Sequence, residues 1–214
     1  MTYFVIEHLE PVVSKWMWFE YKNVSRIVGR ENLVITNVKD DRERRKLSTI
    51  ALLVFRESIT ETFLIENNDL IVLDPQALKE LKPSDFSDKT VVVIGGIMGD
   101  FPPKGRTKAL LCNRLPKAIK RNLGSLQFSI DGAAYIAKMI SEGHELAEIP
   151  IVEGLEIEVS DKHSIILPYG YPLVNGKPLI SEELLEYLKN DIDKDESEFI
   201  RLGRVKSIVE YDDE

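Results

Sequence analysis

The sequence is short of the residues that metal clusters and covalent staples need: 214 residues contain one cysteine, Cys112, and three histidines. A single cysteine excludes an intramolecular disulfide and a zinc site built on several thiolates, and it fits a reducing compartment. Long apolar runs are missing too, since no stretch approaches the roughly 20 residues that cross a bilayer. Met1–Glu10 has no basic n-region and Glu7 interrupts its apolar stretch, so no secretory signal is read there. The expectation is a cytoplasmic protein without a membrane partner. Positive charge is not in excess either: 28 basic against 36 acidic side chains leave a formal net charge of −8. The chain as a whole therefore lacks the electrostatic footprint of a nucleic-acid binder.

What is present is ordinary for a globular chain, 43% apolar and 30% charged residues, enough for a hydrophobic core without staples. Short apolar runs alternate with longer amphipathic segments, the pattern of strands followed by crossover helices. Tyr3–Glu7, Leu33–Thr36, Leu70–Leu73 and Val91–Ile94 read as strands. Continuous Val- and Ile-rich runs such as the last suit strands buried on both faces of a parallel sheet. Ser14 stands as an N-cap before Met17, Tyr21, Val24 and Val28 at helical spacing, and Gly29 as the stop. Asp40–Lys46 reads as a solvated turn or helix start, with Ile50–Phe55 continuing that helix. Lys108–Arg121 is a basic segment interrupted by Pro116, and Leu126–Ile130 is short and extended. Ser129 or Asp131 caps a helix that ends at Gly143. Past Pro150 the pattern changes to strand-like alternation with an Asn175-Gly176 hairpin turn. A helix over Ser181–Asn190 follows, then an acidic cluster, Asp191–Glu198, and Phe199–Tyr211 as an added strand. The expectation is one domain: an α/β sheet in residues 1–150, a β-rich elaboration over 151–190, and an acidic tail over 191–214.

The stretch from Val91 to Lys108 carries the most chemical information. A buried strand ending in Gly95-Gly96, with Gly99 beyond, puts bare backbone at the carboxyl edge of the sheet, where open α/β sheets hold ligands. It is not a Rossmann turn, because Asp100-Phe101-Pro102-Pro103 follows instead of a helix, and in Lys104-Gly105-Arg106-Thr107 the order is wrong for a P-loop. A purely structural turn is the plain alternative. Leu73-Asp74-Pro75 and the run from Arg121 to Asp131 close two other strands, so three loops would converge on one crevice.

Phe4-Val-Ile-Glu-His8, Trp16 to Glu20-Tyr21, Leu73-Asp-Pro75, Gly95-Gly-Ile-Met-Gly-Asp-Phe-Pro-Pro103 with Arg106-Thr-Lys108, and Arg121 to Gln127 together resemble an archaeal and eukaryotic branch of the SPOUT methyltransferases. That branch is labelled as predicted SAM-dependent RNA methyltransferases and includes a fungal protein arginine methyltransferase acting on a small-subunit ribosomal protein. The resemblance runs from Tyr3 to about Asn190 and is most specific over Gly95–Lys108; Asp40–Lys46 and the tail beyond Asn190 depart from it. It implies an α/β fold with a trefoil knot, a rare exception to unthreaded chains, and a dimer as the usual state. It also implies S-adenosylmethionine held by loops containing Leu73, Asp74 and Pro75, then Gly95, Gly96, Ile97, Gly99 and Asp100, then Leu123, Gly124, Gln127, Phe128 and Asp131. Loops without bulky side chains suit an adenine read by main-chain groups. A class I methyltransferase would need an acidic-Gly-x-Gly turn after the first strand, where Glu7 is followed by His8-Leu9-Glu10-Pro11.

Methyl transfer needs alignment of donor and acceptor and the removal of one proton, and an arginine acceptor needs carboxylates around its planar cation. With the resemblance, Glu20 is the favoured catalytic group, since it lies beside the apolar stripe of its helix. A helix glutamate without that context is by default a surface residue. Glu7 and Asp100 are second candidates. Arg106 is a candidate for the cofactor carboxylate or for buttressing the glycine loop, and His8 for a base. Trp16, Trp18, Phe19 and Tyr21 are candidates for the acceptor wall, with core packing the default for at least half of them. Charge is unevenly placed: residues 101–121 hold seven basic and no acidic side chains, whereas residues 181–214 hold twelve acidic and five basic. Three functions follow in order: transfer to a protein arginine, with a ribosomal protein as the acceptor the resemblance implies; transfer to RNA along the basic strip; and a non-catalytic SAM- or RNA-binding module.

Overall fold

Strand β1 (Tyr3–His8) lies in the middle of a parallel sheet that also contains β2 (Leu33–Thr36), β3 (Leu53–Val54), β4 (Asp69–Leu73), β5 (Thr90–Gly96) and β6 (Ile119–Arg121). The structure is a computed structural model that describes residues 2–66, 68–99, 104–160 and 163–213. The strand order is β3-β2-β1-β5-β4-β6, and every pairing is parallel. Period-two alternation divides the strand residues between two cores. Phe4, Ile6, Val92 and Ile94 pack in one cluster with Met17 and Tyr21 of helix α1 (Lys15–Val28) and Ile136 and Ile140 of helix α4 (Ile130–Ser141). Val5, Val91 and Val93 face Leu111 and Leu115 on the other side. A sheet covered on both faces is what the unbroken Val/Ile runs call for.

Helix α1 forms as its sequence dictates. Ser14 Oγ accepts from the Met17 N–H at 3.2 Å, and Gly29, at φ +85°, ends the helix in a conformation that costs other residues. Helix α4 is capped by Ser129, not Asp131, through the Gly132 N–H at 3.3 Å. Past residue 150, β7 (Ile151–Ser160) and β8 (His163–Val174) pair antiparallel, and β9 (Lys177–Pro178) joins them across the Asn175-Gly176 turn. Helix α5 (Glu182–Asn190), capped by Ser181, and Trp16 and Phe19 of α1 share a third core with this small sheet.

Two readings of the chain are corrected and one is refined. Ile50–Phe55 does not extend a helix: α2 (Asp41–Leu47) stops, and Leu53 and Val54 pair with Val34 and Ile35 at the sheet edge. Lys108–Arg121 holds most of the short helix α3 (Arg106–Leu110), a turn of 3-10 helix and β6. Phe199–Tyr211 is not a strand, because α6 (Ile192–Leu202) covers its start and a 3-10 turn at Ile208–Asp213 its end.

Gly96 shows how tightly β5 passes the core. An added Cβ would overlap the Tyr21 hydroxyl and lie 3.0 Å from Ile6 Cγ2 and 3.1 Å from the Glu7 carbonyl oxygen. Neither a strand backbone nor a fully buried tyrosine can yield, so Gly96→Ala is expected to cost about 1–3 kcal/mol, read as a lower urea midpoint at unchanged m-value.

Candidate active site

In a parallel sheet the ligand crevice lies beyond the carboxyl ends of the strands, and here the ends of β4, β5 and β6 open into one. Leu73, Asp74 and Pro75, Gly95, Ile97 and Gly99, and Leu123, Gln127 and Phe128 line a single cleft together with Gln76, Met98, Gly105 and Arg106. Of the loop residues expected to hold a cofactor, Gly96, Gly124 and Asp131 do not line it. Gly96 is packed against Tyr21, and Asp131 is buried within the α1–α4 contact. Asp100 lies outside the described residues.

The cleft's polar groups are mostly held by the protein itself. Asp74 Oδ1 accepts from the Gln76 N–H at 2.9 Å and Oδ2 from the Cys112 thiol at 3.3 Å. Burial first, then the Asp74 charge, pushes that thiol up to about 12, so Cys112 is no nucleophile. Arg106 donates to Glu10 Oε1 at 3.0 Å and to the Met98 carbonyl, and Glu10 Oε1 also accepts the Met98 N–H at 2.9 Å. Arg106 thus buttresses the glycine loop, one of the two roles read for it, while also lining the cleft. Gln127 differs: its buried Oε1 has no partner among the described residues and is open to a donor. That acceptor, together with bare backbone at Gly95 and Gly99 and apolar walls from Leu73, Leu123 and Phe128, fits an adenosyl ligand with an exocyclic amine. Glu10→Ala should loosen the Ile97–Gly99 loop and weaken S-adenosylmethionine binding about tenfold, a loss of about 1.4 kcal/mol, measurable by calorimetry.

Glu20 lies deeper, only 6% exposed. Its Oε1 accepts from Trp16 Nε1 at 2.7 Å, the i,i+4 neighbour on α1. Its Oε2 accepts from the Ile130 N–H at 3.0 Å, one of the donors left open at the start of α4, where the helix dipole favours an anion. Apart from Trp16, Glu20 and Tyr169, every residue lining its small pocket also lines the cofactor cleft. Burial and then the nearby Asp131 charge raise Glu20 to about 8, against the opposing pull of its two hydrogen bonds. Desolvation wins, which gives Glu20 a proton affinity well above that of an ordinary carboxylate. Asp131, itself raised by burial, is held by Asn23 Nδ2 at 2.8 Å and Ser129 Oγ at 2.6 Å.

The other candidates are placed elsewhere. Glu7 is buried, but its carboxylate accepts from Ser58 Oγ at 2.6 Å, Thr36 Oγ1 at 2.5 Å and the Ile59 N–H at 2.9 Å, tying β1 to β2 and the loop after β3. Its side chain is saturated and outside both pockets. His8 bonds the Tyr21 hydroxyl at 3.0 Å, and burial lowers it to about 4, so it is a neutral core residue. Of the aromatic group only Trp16 reaches the Glu20 pocket. Phe19 packs on Tyr187, Tyr21 is core, and Trp18 lies under Lys22 and Lys46. Tyr169 is the wall residue that the sequence reading missed. It comes from β8, which docks on the segment before α4 through the Gly170 N–H to the Gln127 carbonyl at 2.8 Å. The basic strip is thinned: Arg121 pairs with Asp85 and Lys120 donates to three carbonyls. Lys108, Arg114 and Lys117 remain exposed.

A parallel α/β sheet whose glycine-edged cleft abuts a buried, basic carboxylate defines a group-transfer enzyme scaffold with room for a nucleoside cofactor. Residues 3–195 match the family described as SFM1-like protein arginine N-methyltransferases, and the chain belongs to that family. It is 28% identical over 201 residues to protein arginine N-methyltransferase SFM1 of Saccharomyces cerevisiae, covering 88% of this chain and 94% of the yeast protein. Crystal structures of the yeast enzyme superpose with TM-scores of 0.79 in complex with SAH (30% identity, 87% of this chain and 94% of that one) and 0.80 in complex with SAM (28%, 89% and 91%). Trm10 from Thermococcus kodakaraensis shares the fold, with a TM-score of 0.54 at 23% identity over 69% of this chain and 96% of that one.

Proposed function

We propose that the protein transfers a methyl group from S-adenosylmethionine to a guanidinium nitrogen of an arginine in a substrate protein. The observation that carries this is Glu20, a buried carboxylate of raised proton affinity whose pocket opens into the cofactor cleft. When bound, the cofactor supplies a methyl group on a positively charged sulfur. Leu73, Leu123 and Phe128 would flank its apolar parts and Gln127 Oε1 would accept from an amine. Trp16 and the Ile130 N–H fix the Glu20 carboxylate in one orientation, so the planar guanidinium meets it edge-on and the nucleophilic nitrogen is aligned. As the new N–C bond forms, the methyl–sulfur bond breaks with its electron pair going to sulfur, leaving S-adenosylhomocysteine, and the nitrogen's proton passes to Glu20, where burial makes it welcome near pH 8.

The resemblance of the chain supports two finer statements that go with this reading: a SPOUT-type trefoil knot at the glycine loop and the segment before α4, and a small-subunit ribosomal protein as the acceptor. The second reading is RNA methylation, favoured by exposed Lys108, Arg114 and Lys117; it predicts a steep fall of RNA affinity with salt. Calorimetry with S-adenosylmethionine tests what both readings share. Saturable binding that SAH competes away supports them, and no binding leaves only the non-catalytic module.

A further inference from the structure

The Glu20 pocket continues outward into a second, largely apolar groove. Trp16 and Met98 line both. From there the groove passes Pro11 and Val12 and ends against Ile192 and Phe199 of α6. Most of α6 and all of the turn after it lie beyond residue 195, so one wall of the groove is built by a segment outside the family match. Phe199 is 50% exposed and Val205 49%, so apolar surface stays open along this wall of the groove.

The charges on the groove are not balanced. Its cations are all engaged internally: Lys15 with Asp191 at 3.0 Å, Arg204 with Glu210 at 2.8 Å, and Lys206 with Glu198 at 3.0 Å. Of its carboxylates, Glu10 pairs with Arg106, but Asp195, among the described residues, receives only the Tyr187 hydroxyl, at 2.8 Å, and Glu196 is exposed. The free charge is negative and sits beside exposed apolar surface. We propose that this groove binds the segment of the substrate protein flanking the acceptor arginine, and that it selects a segment carrying an apolar side chain for the Val12–Phe199 wall and a basic one for Asp195 and Glu196. This rests on the arginine reading of the Glu20 pocket, since only an acceptor seated there carries its flanking chain through Trp16 and Met98 into the groove.

The test uses the full chain and short fluorescein-labelled peptides with one central arginine, flanked either by leucine and lysine or by serine and glutamate. The variant is Glu196→Lys with Phe199→Ser, two exposed positions outside the cofactor cleft, and calorimetry with S-adenosylmethionine verifies that this cleft is unchanged. The native chain should bind the leucine/lysine peptide at least about tenfold more tightly than the serine/glutamate one and methylate it with a correspondingly lower KM. In the variant that preference should vanish with kcat within about twofold. Equal binding of the two peptides by the native chain, or an undiminished preference in the variant, overturns the groove assignment. A variant-sensitive preference in binding without methylarginine in either peptide upholds the groove and contradicts the arginine reading.

Discussion

Glu20→Gln is expected to lower kcat for methyl transfer by about 10²–10⁴-fold, the usual contribution of a positioned base, while S-adenosylmethionine affinity stays within about twofold. The two effects separate because Glu20 lines only the inner pocket, whereas the cofactor cleft is built by other side chains. Glutamine keeps the size of the side chain but cannot take the proton, and its amide must turn an N–H toward either Trp16 or Ile130, both donors. Glu20→Asp separates chemistry from this mismatch: it retains a carboxylate but shortens its reach by a methylene, so an intermediate rate is expected. An unchanged rate in Glu20→Gln removes Glu20 from the mechanism.

The second large effect is on pH dependence. A base must be ionised to act, and burial with the Asp131 charge raises Glu20 to about 8. Below that value the ionised fraction falls about tenfold per pH unit, so kcat/KM, which reports the free enzyme, should rise steeply from pH 6 and level off above about pH 8. Asp131→Asn removes the negative neighbour while leaving a side chain that Asn23 and Ser129 can still contact. The repulsion that favours protonated Glu20 is then gone, so the midpoint should move to lower pH. A mutation that only loosened the α1–α4 contact would lower the rate without moving the midpoint. A flat profile between pH 6 and 9 would show that proton removal by Glu20 does not limit the reaction.

Local signals made part of this site legible in the sequence. Ser14, the Met17–Val28 stripe and Gly29 specify α1 without help from the rest of the chain, and with α1 comes the Trp16–Glu20 pairing at helical spacing. The glycine edge after β5 was readable because bare backbone at a strand end has few purposes. The Ile130 N–H that holds Glu20 comes from 110 positions away, and nothing in either segment announces it. Glu7 and Glu20 look alike as sequence, each a carboxylate beside apolar neighbours. What separates them is tertiary: Thr36, Ser58 and Ile59 saturate Glu7, whereas Glu20 is left facing a pocket.

The errors have the same origin. Ile50–Phe55 has the apolar density of a helix stripe but sits at the sheet edge, where Leu52 and Leu53 are each 40% exposed. Asp191–Glu198 reads as an acidic cluster and nothing in it announces a helix, yet Ile192 and Phe199 give α6 enough apolar surface to wall the groove beside the Glu20 pocket. Tyr169 was invisible as a site residue because β8 alternates like any half-buried strand, and only its docking on Gln127 brings it to the pocket.

The acceptor is tested most directly by incubating the protein and tritiated S-adenosylmethionine with ribosomes purified from cells lacking the enzyme, then dividing the products between protease and nuclease digestion. Label is expected in protein, recovered after hydrolysis as methylarginine, and lost with Glu20→Gln. Label recovered in a methylated nucleoside would contradict the arginine reading and establish the RNA one.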